Sequence, residues 1–292
     1  LTRSLRIGIR PGTLARLQAG SIQARLAQGG IAAEPIELGP SAESGLLSDD
    51  IDLLVLSFDE LPPLLPPSLA IAAIGPRGDP RDVLVSRDQI EWATIPTGAR
   101  IGIAGPSQQG QLLRVRPDLL VERRGSVEAL LAALRVEAAL AGVVVPTGML
   151  QLLEAGRSPG ELLPPDVMLP VAGQGALAVV TRAGDEETRR LVAGAVHDPR
   201  AAASVRAERA FVAHLGGGRR DPVAALATWS EPGEVADGWL ELVGRVLSSD
   251  GLLMVEGVIA EPVHGEVDAE QLGVRLAEDL VAQGALDLLT GT

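Results

Sequence analysis

The sequence predicts an α/β chain that ends in a small α+β unit. Three observations lead there. Short apolar runs alternate with helix-period segments through the first half. After Pro199 the pattern gives way to one long helix and three strand signals. A last helix then closes the chain. Strands alternating with helices argue for parallel sheets covered by helices, and a run of strands flanked by helices argues for an α+β layer.

The elements follow in order. Leu5 to Ile9 is an apolar run, read as a strand. Thr13 stands where a helix cap belongs, and Leu14, Leu17, Ile22 and Leu26 recur near helical spacing. Gly29-Gly30 ends that helix. Ala33 to Leu38 and Leu53 to Leu56 read as buried strands, and Leu69 to Ile74 as another before the breaker Gly75-Pro76. A second unit begins near Asp79. Ile101 to Ala104 reads as a strand, and Gly105 to Gln108 leads into a helix through Arg114. Leu119 to Val121 is a strand, Val127 to Leu134 a helix and Val143 to Val145 a fully apolar strand. Ser158 to Pro165 has the composition of a crossing loop, and Leu177 to Val180 is a strand able to return to the first unit. A helix at about Arg200 to Leu215 stops at Gly216-Gly217-Gly218. Strands are expected at Val223 to Thr228, Trp239 to Val246 and Leu252 to Ala260. The last major helix is expected to start at Asp268, with Gln271 three residues on for a capping box, and to stop at Gly284.

Charge and composition narrow the function. The chain carries 25 basic and 38 acidic residues, a net charge of −13, which opposes binding to nucleic acid. Every basic residue other than histidine is arginine. Lys, Asn, Tyr and Cys are absent. No lysine can form a Schiff base, no thiolate can attack or bind metal, and no disulfide can form. His197, His214 and His264 lack ligand spacing, so no metal site is expected. No run reaches the roughly 18 to 20 apolar residues of a membrane span, and the N-terminal residues lack a signal-peptide core of about 7 to 15 apolar residues. The expected location is the cytoplasm.

Several segments resemble the porphobilinogen deaminase (hydroxymethylbilane synthase) family. The most specific is LPVAGQGA at Leu169 to Ala176. Others are LRIGIR at Leu5 to Arg10, DPRDVLVS at Asp79 to Ser86, RPDL at Arg116 to Leu119, Arg124-Gly125 with Val127, and AERA at Ala207 to Ala210 followed by Leu215, Gly217 and Gly218. Ala269 to Gly284 is similar to the family's C-terminal helix. The resemblance spans almost the whole chain. It implies three domains: two doubly wound units of periplasmic-binding-protein-like (type II) fold joined by two crossovers, and a small α+β C-terminal domain. The expected ranges are 1–76 with 172–196, then 77–171, then 197–292. It also implies a cleft between the first two domains, a monomer, and a place in tetrapyrrole synthesis.

The resemblance assigns residues as well. The family's catalytic carboxylate falls at Glu60, one methylene longer than the family's aspartate, and the lysine before it is Asp59. The pair also reads as a solvated acidic turn. Substrate-binding positions fall at Arg10, Gln18, Ser107, Gln108, Arg124 and Gln151. Two consecutive family arginines are thus replaced by Ser107 and Gln108, and a third by Gln151. Glutamine supplies neither the charge nor the bidentate fork of arginine. For Arg10 and Arg124, a surface ion pair is the alternative to ligand binding. The family's glycine- and lysine-containing lid is shortened to Gly39 to Asp50, which is acidic and lysine-free. The cysteine that carries the family's covalent dipyrromethane follows a Gly-Gly, and that position is Arg219.

The expectation is a family member without a covalent cofactor, catalytically divergent or inactive, that retains a cleft for a small anionic ligand such as a pyrrole or tetrapyrrole. Two alternatives stand beside it. One is an active synthase with a non-covalent primer, with Glu60 as the carboxylate and Arg219 or Arg220 helping to hold it. The other is a non-enzymatic regulatory or interaction protein.

Overall fold

The computed structural model describes residues 4–39, 42–62, 64–87, 89–154, 160–218, 220–230 and 238–290. In chain order the elements are β1 (Leu5–Ile9), α1 (Thr13–Gln28), β2 (Ala33–Glu37), α2 (Ala42–Leu47), β3 (Leu53–Ser57), β4 (Leu69–Ile74), β5 (Asp82–Ser86), β6 (Arg100–Ile103), α3 (Pro106–Val115), β7 (Leu120–Arg123), α4 (Val127–Val136), β8 (Leu140–Pro146) and α5 (Thr147–Leu153). After these come β9 (Glu161–Leu162), β10 (Leu177–Arg182), α6 (Glu186–Val196), α7 (Pro199–His214), β11 (Val223–Trp229), β12 (Trp239–Leu247), β13 (Met254–Pro262), α8 (Glu266–Ala282) and α9 (Ala285–Thr290). They form two compact units, Leu1–Gly78 with Ala176–Ala202, and Asp79–Gly175 with Ala203–Thr292.

The first unit holds a five-stranded sheet of order β2-β1-β3-β10-β4. Here β1 runs parallel to β2 and β3, and β10 lies antiparallel between β3 and β4. The second unit repeats the plan in the order β7-β6-β8-β5-β9, with β5 antiparallel to β8 and β9. This is the doubly wound type II order that the resemblance implied. Both sheets are mixed, however, where the strand–helix alternation alone argued for parallel ones. The strands β5 and β10 follow directly from strands of the other sheet. No helix intervenes to carry the chain back, and a strand inserted that way lies antiparallel.

Burial explains most of the local structure. In the first unit Ile22 and Leu26 of α1 and Val192 and Val196 of α6 pack on Ile7, Leu53, Val55 and Val179 of the sheet. β2 is only half covered, which corrects its expected burial; it is an edge strand, and Pro35 suits an edge. Thr13 is not the cap of α1. Gly12 occupies that position, without a side-chain bond. The stretch Gly39 to Asp50 is not all loop: α2 forms because Ala42 and Leu46, one turn apart, are both fully buried. Part of the crossing loop at Ser158 to Pro165 lies outside the described residues.

The rest of the second unit is a three-stranded antiparallel sheet, β11-β12-β13, covered by α7 and α8. β13 begins at Met254, because Leu252 and Leu253 sit exposed on the preceding turn. α8 begins at Glu266, so Asp268 is already inside its first turn and Gly265 is the cap. α8 crosses α7 at Gly273. A Cβ there would stand 2.1 Å from the Ala207 carbonyl oxygen and 2.9 Å from the Phe211 nitrogen. Both are backbone atoms of another helix and cannot step aside. Gly273→Ala is therefore expected to cost about 3 kcal/mol, seen as a lower urea midpoint at unchanged slope.

Candidate functional site

The LPVAGQGA segment is held by hydrogen bonds along its length. The Leu169 N–H donates to Gln111 Oε1 at 2.8 Å, and its carbonyl accepts from Gln111 Nε2 at 3.0 Å. The Pro170 carbonyl accepts from the Ala225 N–H. The Gly173 N–H donates to Glu208 Oε2 at 2.6 Å, and Gln174 Nε2 donates to the Pro80 carbonyl at 2.7 Å. Gly173 and Gly175 have φ of 82° and 85°. Left-handed backbone, which a side chain disfavours, is what fixes glycine at both. Glu208 is fully buried and also accepts from the Ala227 N–H at 2.7 Å. One carboxylate thus ties AERA, LPVAGQGA and β11 together. These residues are architectural.

Three assigned residues gather at the carboxyl edge of the first sheet, where parallel strands end and ligands commonly bind. Arg10 follows β1, and Glu60 closes the short turn after β3. Arg10 Nη1 donates to Glu60 Oε2 at 3.4 Å, and Nη2 donates to Glu43 of α2. Gln18 is buried and donates to Ser57 Oγ at 3.1 Å.

Four more lie at the carboxyl edge of the second sheet. Ser107 and Gln108 begin α3 and are both buried. Gln108 Oε1 accepts from the Ala104 and Gly105 N–H groups at 2.8 and 3.3 Å, while Nε2 donates to Asp82 Oδ1 at 2.8 Å. The Gly105 N–H is one of the donors a helix start offers an anion, and the Gln108 side chain spends it internally. Ser107 Oγ accepts from Gln111 Nε2. Arg124 follows β7 and makes four hydrogen bonds, two to Glu122 Oε2 and one to each Glu137 oxygen. Gln151 is exposed on α5.

The hydrogen bond from Arg124 holds the Glu122 carboxyl below its ordinary range, against partial desolvation, with Arg100 adding to the effect. Because the folded state lowers this pKa, the pair stabilises the fold above the unfolded carboxyl pKa. The contribution fades as pH falls through the lowered value. Carbon-13 titration should find Glu122 protonating below the ordinary glutamate range, and Arg124→Gln should raise it part of the way back, with Arg100 still bound.

The loop after α7 is closed by Asp221: its N–H donates to the Gly218 carbonyl at 3.0 Å, and its Oδ2 accepts from the Gly218 N–H at 2.8 Å. Arg219 lies outside the described residues. No group of three or more His, Asp or Glu side chains among the described residues could hold a metal ion, and no described helix is long and apolar enough to cross a membrane.

The residues that organise these edges are mostly ones the sequence reading passed over: Asp82, Gln111, Gln174, Glu208 and Glu43. Glu208 carried a signal. It falls in the stripe Ala201, Val205, Glu208, Phe211 and Leu215, where a buried charge must find partners. Asp82, next to Val-Leu-Val, carried a similar one.

Comparison of the sequence with known proteins matches it to one family. The model for the porphobilinogen deaminase dipyromethane cofactor binding domain matches residues 40–190, and that for the porphobilinogen deaminase C-terminal domain matches 202–282. Porphobilinogen deaminase of Syntrophotalea carbinolica is 43% identical over 244 residues, covering 83% of this chain and 74% of that protein. The Moorella thermoacetica protein of the same name is 42% identical over 267 residues, covering 91% and 80%. That of Thermus thermophilus is 37% identical over 271 residues, covering 92% and 86%. Matches of this extent over both units make the chain a member of the porphobilinogen deaminase family.

Proposed function

We propose that this chain is a family member that builds no bilane on a covalent primer. One observation carries the reading: the residue after Gly217-Gly218 is Arg219, and the chain contains no cysteine. A thioether needs a thiolate. A guanidinium stays protonated at every working pH and is no nucleophile. The donor set does not fit a covalently held dipyrromethane, and no step is routed through one.

The rest of the chemistry supports the same reading. Glu60 offers a carboxylate one methylene displaced from the family's aspartate, and a misplacement of about 1 Å costs on the order of a hundredfold in rate. Asp59 adds negative charge where the family has a cation, which disfavours a substrate with two carboxylates. Ser107, Gln108 and Gln151 bring no positive charge to positions where the family has arginine. A small anionic ligand is the class of molecule that Arg10 would serve if its own carboxylate partners gave way.

The test is direct. The purified chain is incubated with porphobilinogen, and hydroxymethylbilane is read as uroporphyrin after cyclisation and oxidation. The expected yield is that of a protein-free control. Sustained turnover, or an intact mass carrying two extra pyrrole rings, overturns the reading.

A further inference from the structure

We propose that Glu43 is an internal carboxylate that occupies the anion-binding edge of Arg10, so that α2 keeps this arginine closed to small carboxylates. The inference is independent of whether a primer can be attached.

The unused half of the Arg10 guanidinium points to it. Arginine binds a carboxylate best through two parallel donors. Arg6 does so here, with Nε and Nη2 on the two oxygens of Asp52 at 3.1 and 2.9 Å. Arg116 does the same on Asp118 at 2.8 and 2.7 Å. Arg10 presents the same Nε–Nη2 edge, yet only Nη2 is taken, by Glu43. Its Nε is shielded from solvent and has no hydrogen-bond partner. Glu60 sits on the other end of the guanidinium, at Nη1. Arg10 is therefore left with half a fork satisfied, at the carboxyl edge of its sheet. A monocarboxylate with two oxygens would complete the fork that Glu43 half fills.

The placement of Glu43 is built in. Ala42 and Leu46 of α2 are fully buried. Arg182 Nη1 donates to the Leu46 and Ile51 carbonyls at 3.0 and 2.8 Å, which holds the end of α2 and the chain beyond it. The Glu43 side chain itself is 42% exposed, so it can leave Arg10 by rotation while α2 stays docked. With Glu43 in place, one cation faces two carboxylates and a third would be repelled. With Glu43 neutralised, Arg10 retains one counter-charge and an open edge.

The experiment titrates propionate into the full chain and follows the arginine Nε–Hε resonances by NMR. Glu43→Gln is expected to bind propionate roughly fivefold more tightly than the parent chain, the factor set by loss of one partly exposed ion pair. The Arg10 Nε–Hε resonance should move on binding. Arg10→Gln combined with Glu43→Gln should lose the gain. Glu43→Ala serves as the second variant, since glutamine retains a hydrogen-bonding oxygen. The proposal is overturned if both Glu43 variants, still melting with the parent chain, bind propionate within twofold of it. It is also overturned if the gain survives loss of Arg10, or if Glu60→Gln produces it and the Glu43 variants do not. None of these variants touches Arg219, so either reading can fail alone.

Discussion

Arg219→Cys is expected to take up pyrrole covalently where the parent chain takes up none. The cofactor-domain similarity spans residues 40–190 and the C-terminal similarity 202–282, so the family scaffold is present on both sides of the position. What is missing is a sulfur nucleophile. A cysteine beside Arg220 would have a cation at hand to favour the thiolate. Intact-mass spectrometry after exposure to porphobilinogen or to a linear tetrapyrrole should show a stable increment of two pyrrole units on the variant only. Turnover is a separate matter. On the proposed assignment of Glu60 as the carboxylate, the variant should stay at least about a hundredfold below an aspartate-bearing enzyme. An unmodified variant would mean that position 219 is not where the primer belongs. A modified parent chain would mean that attachment needs no thiol.

Glu208→Ala is expected to be the most damaging single change to the fold. The carboxylate is fully buried and accepts the Gly173 and Ala227 N–H groups at 2.6 and 2.7 Å. Removing it leaves two backbone donors inside the protein with nothing to bond. Each orphaned donor costs about 1 to 3 kcal/mol, and the charge-assisted bonds are lost as well. A total of about 4 kcal/mol follows, which lowers the melting temperature by on the order of 10 °C in a unit of this size. Glu208→Gln keeps the shape but retains one acceptor oxygen, and its amide N–H then meets a backbone N–H. About half the loss is expected. Hydrogen exchange offers the local readout, with the Gly173 and Ala227 amides losing protection first. A Glu208→Ala protein that melts within about 2 °C of the parent would show that the bonds contribute little.

Much of the fold was legible because burial leaves a periodic trace. β3 and β10 read as apolar runs since both faces of a central strand are covered. α7 and the glycines after it read as a helix and its stop. α2 and α6 went unread for different reasons. α2 is six residues long, too short for periodicity to separate from loop. α6 does carry a stripe, Thr188, Val192 and Val196, but the stripe starts on a threonine and the apolar Leu191, Ala193 and Ala195 lie off it, which blurs the period. The antiparallel sense of β5 and β10 left no trace at all, because strand direction depends on where the preceding strand lies.

The candidate site was legible in its residue types and not in their partners. Sequence alone fixes that Arg219 and not a thiol follows Gly217-Gly218, that position 60 carries a glutamate, and that Ser107, Gln108 and Gln151 carry no charge. These are facts of covalent chemistry and formal charge, which hold in any conformation. Tertiary structure decided how the remaining polar groups are used. Arg124 is taken by Glu122 and Glu137, Gln108 by Asp82 and its own helix start, and Arg10 by Glu43 and Glu60. Arg10 lies more than thirty residues from Glu43 in the chain, and Gln108 twenty-six from Asp82. Hydrogen bonds act over about 3 Å, so only the folded backbone determines which groups come within reach.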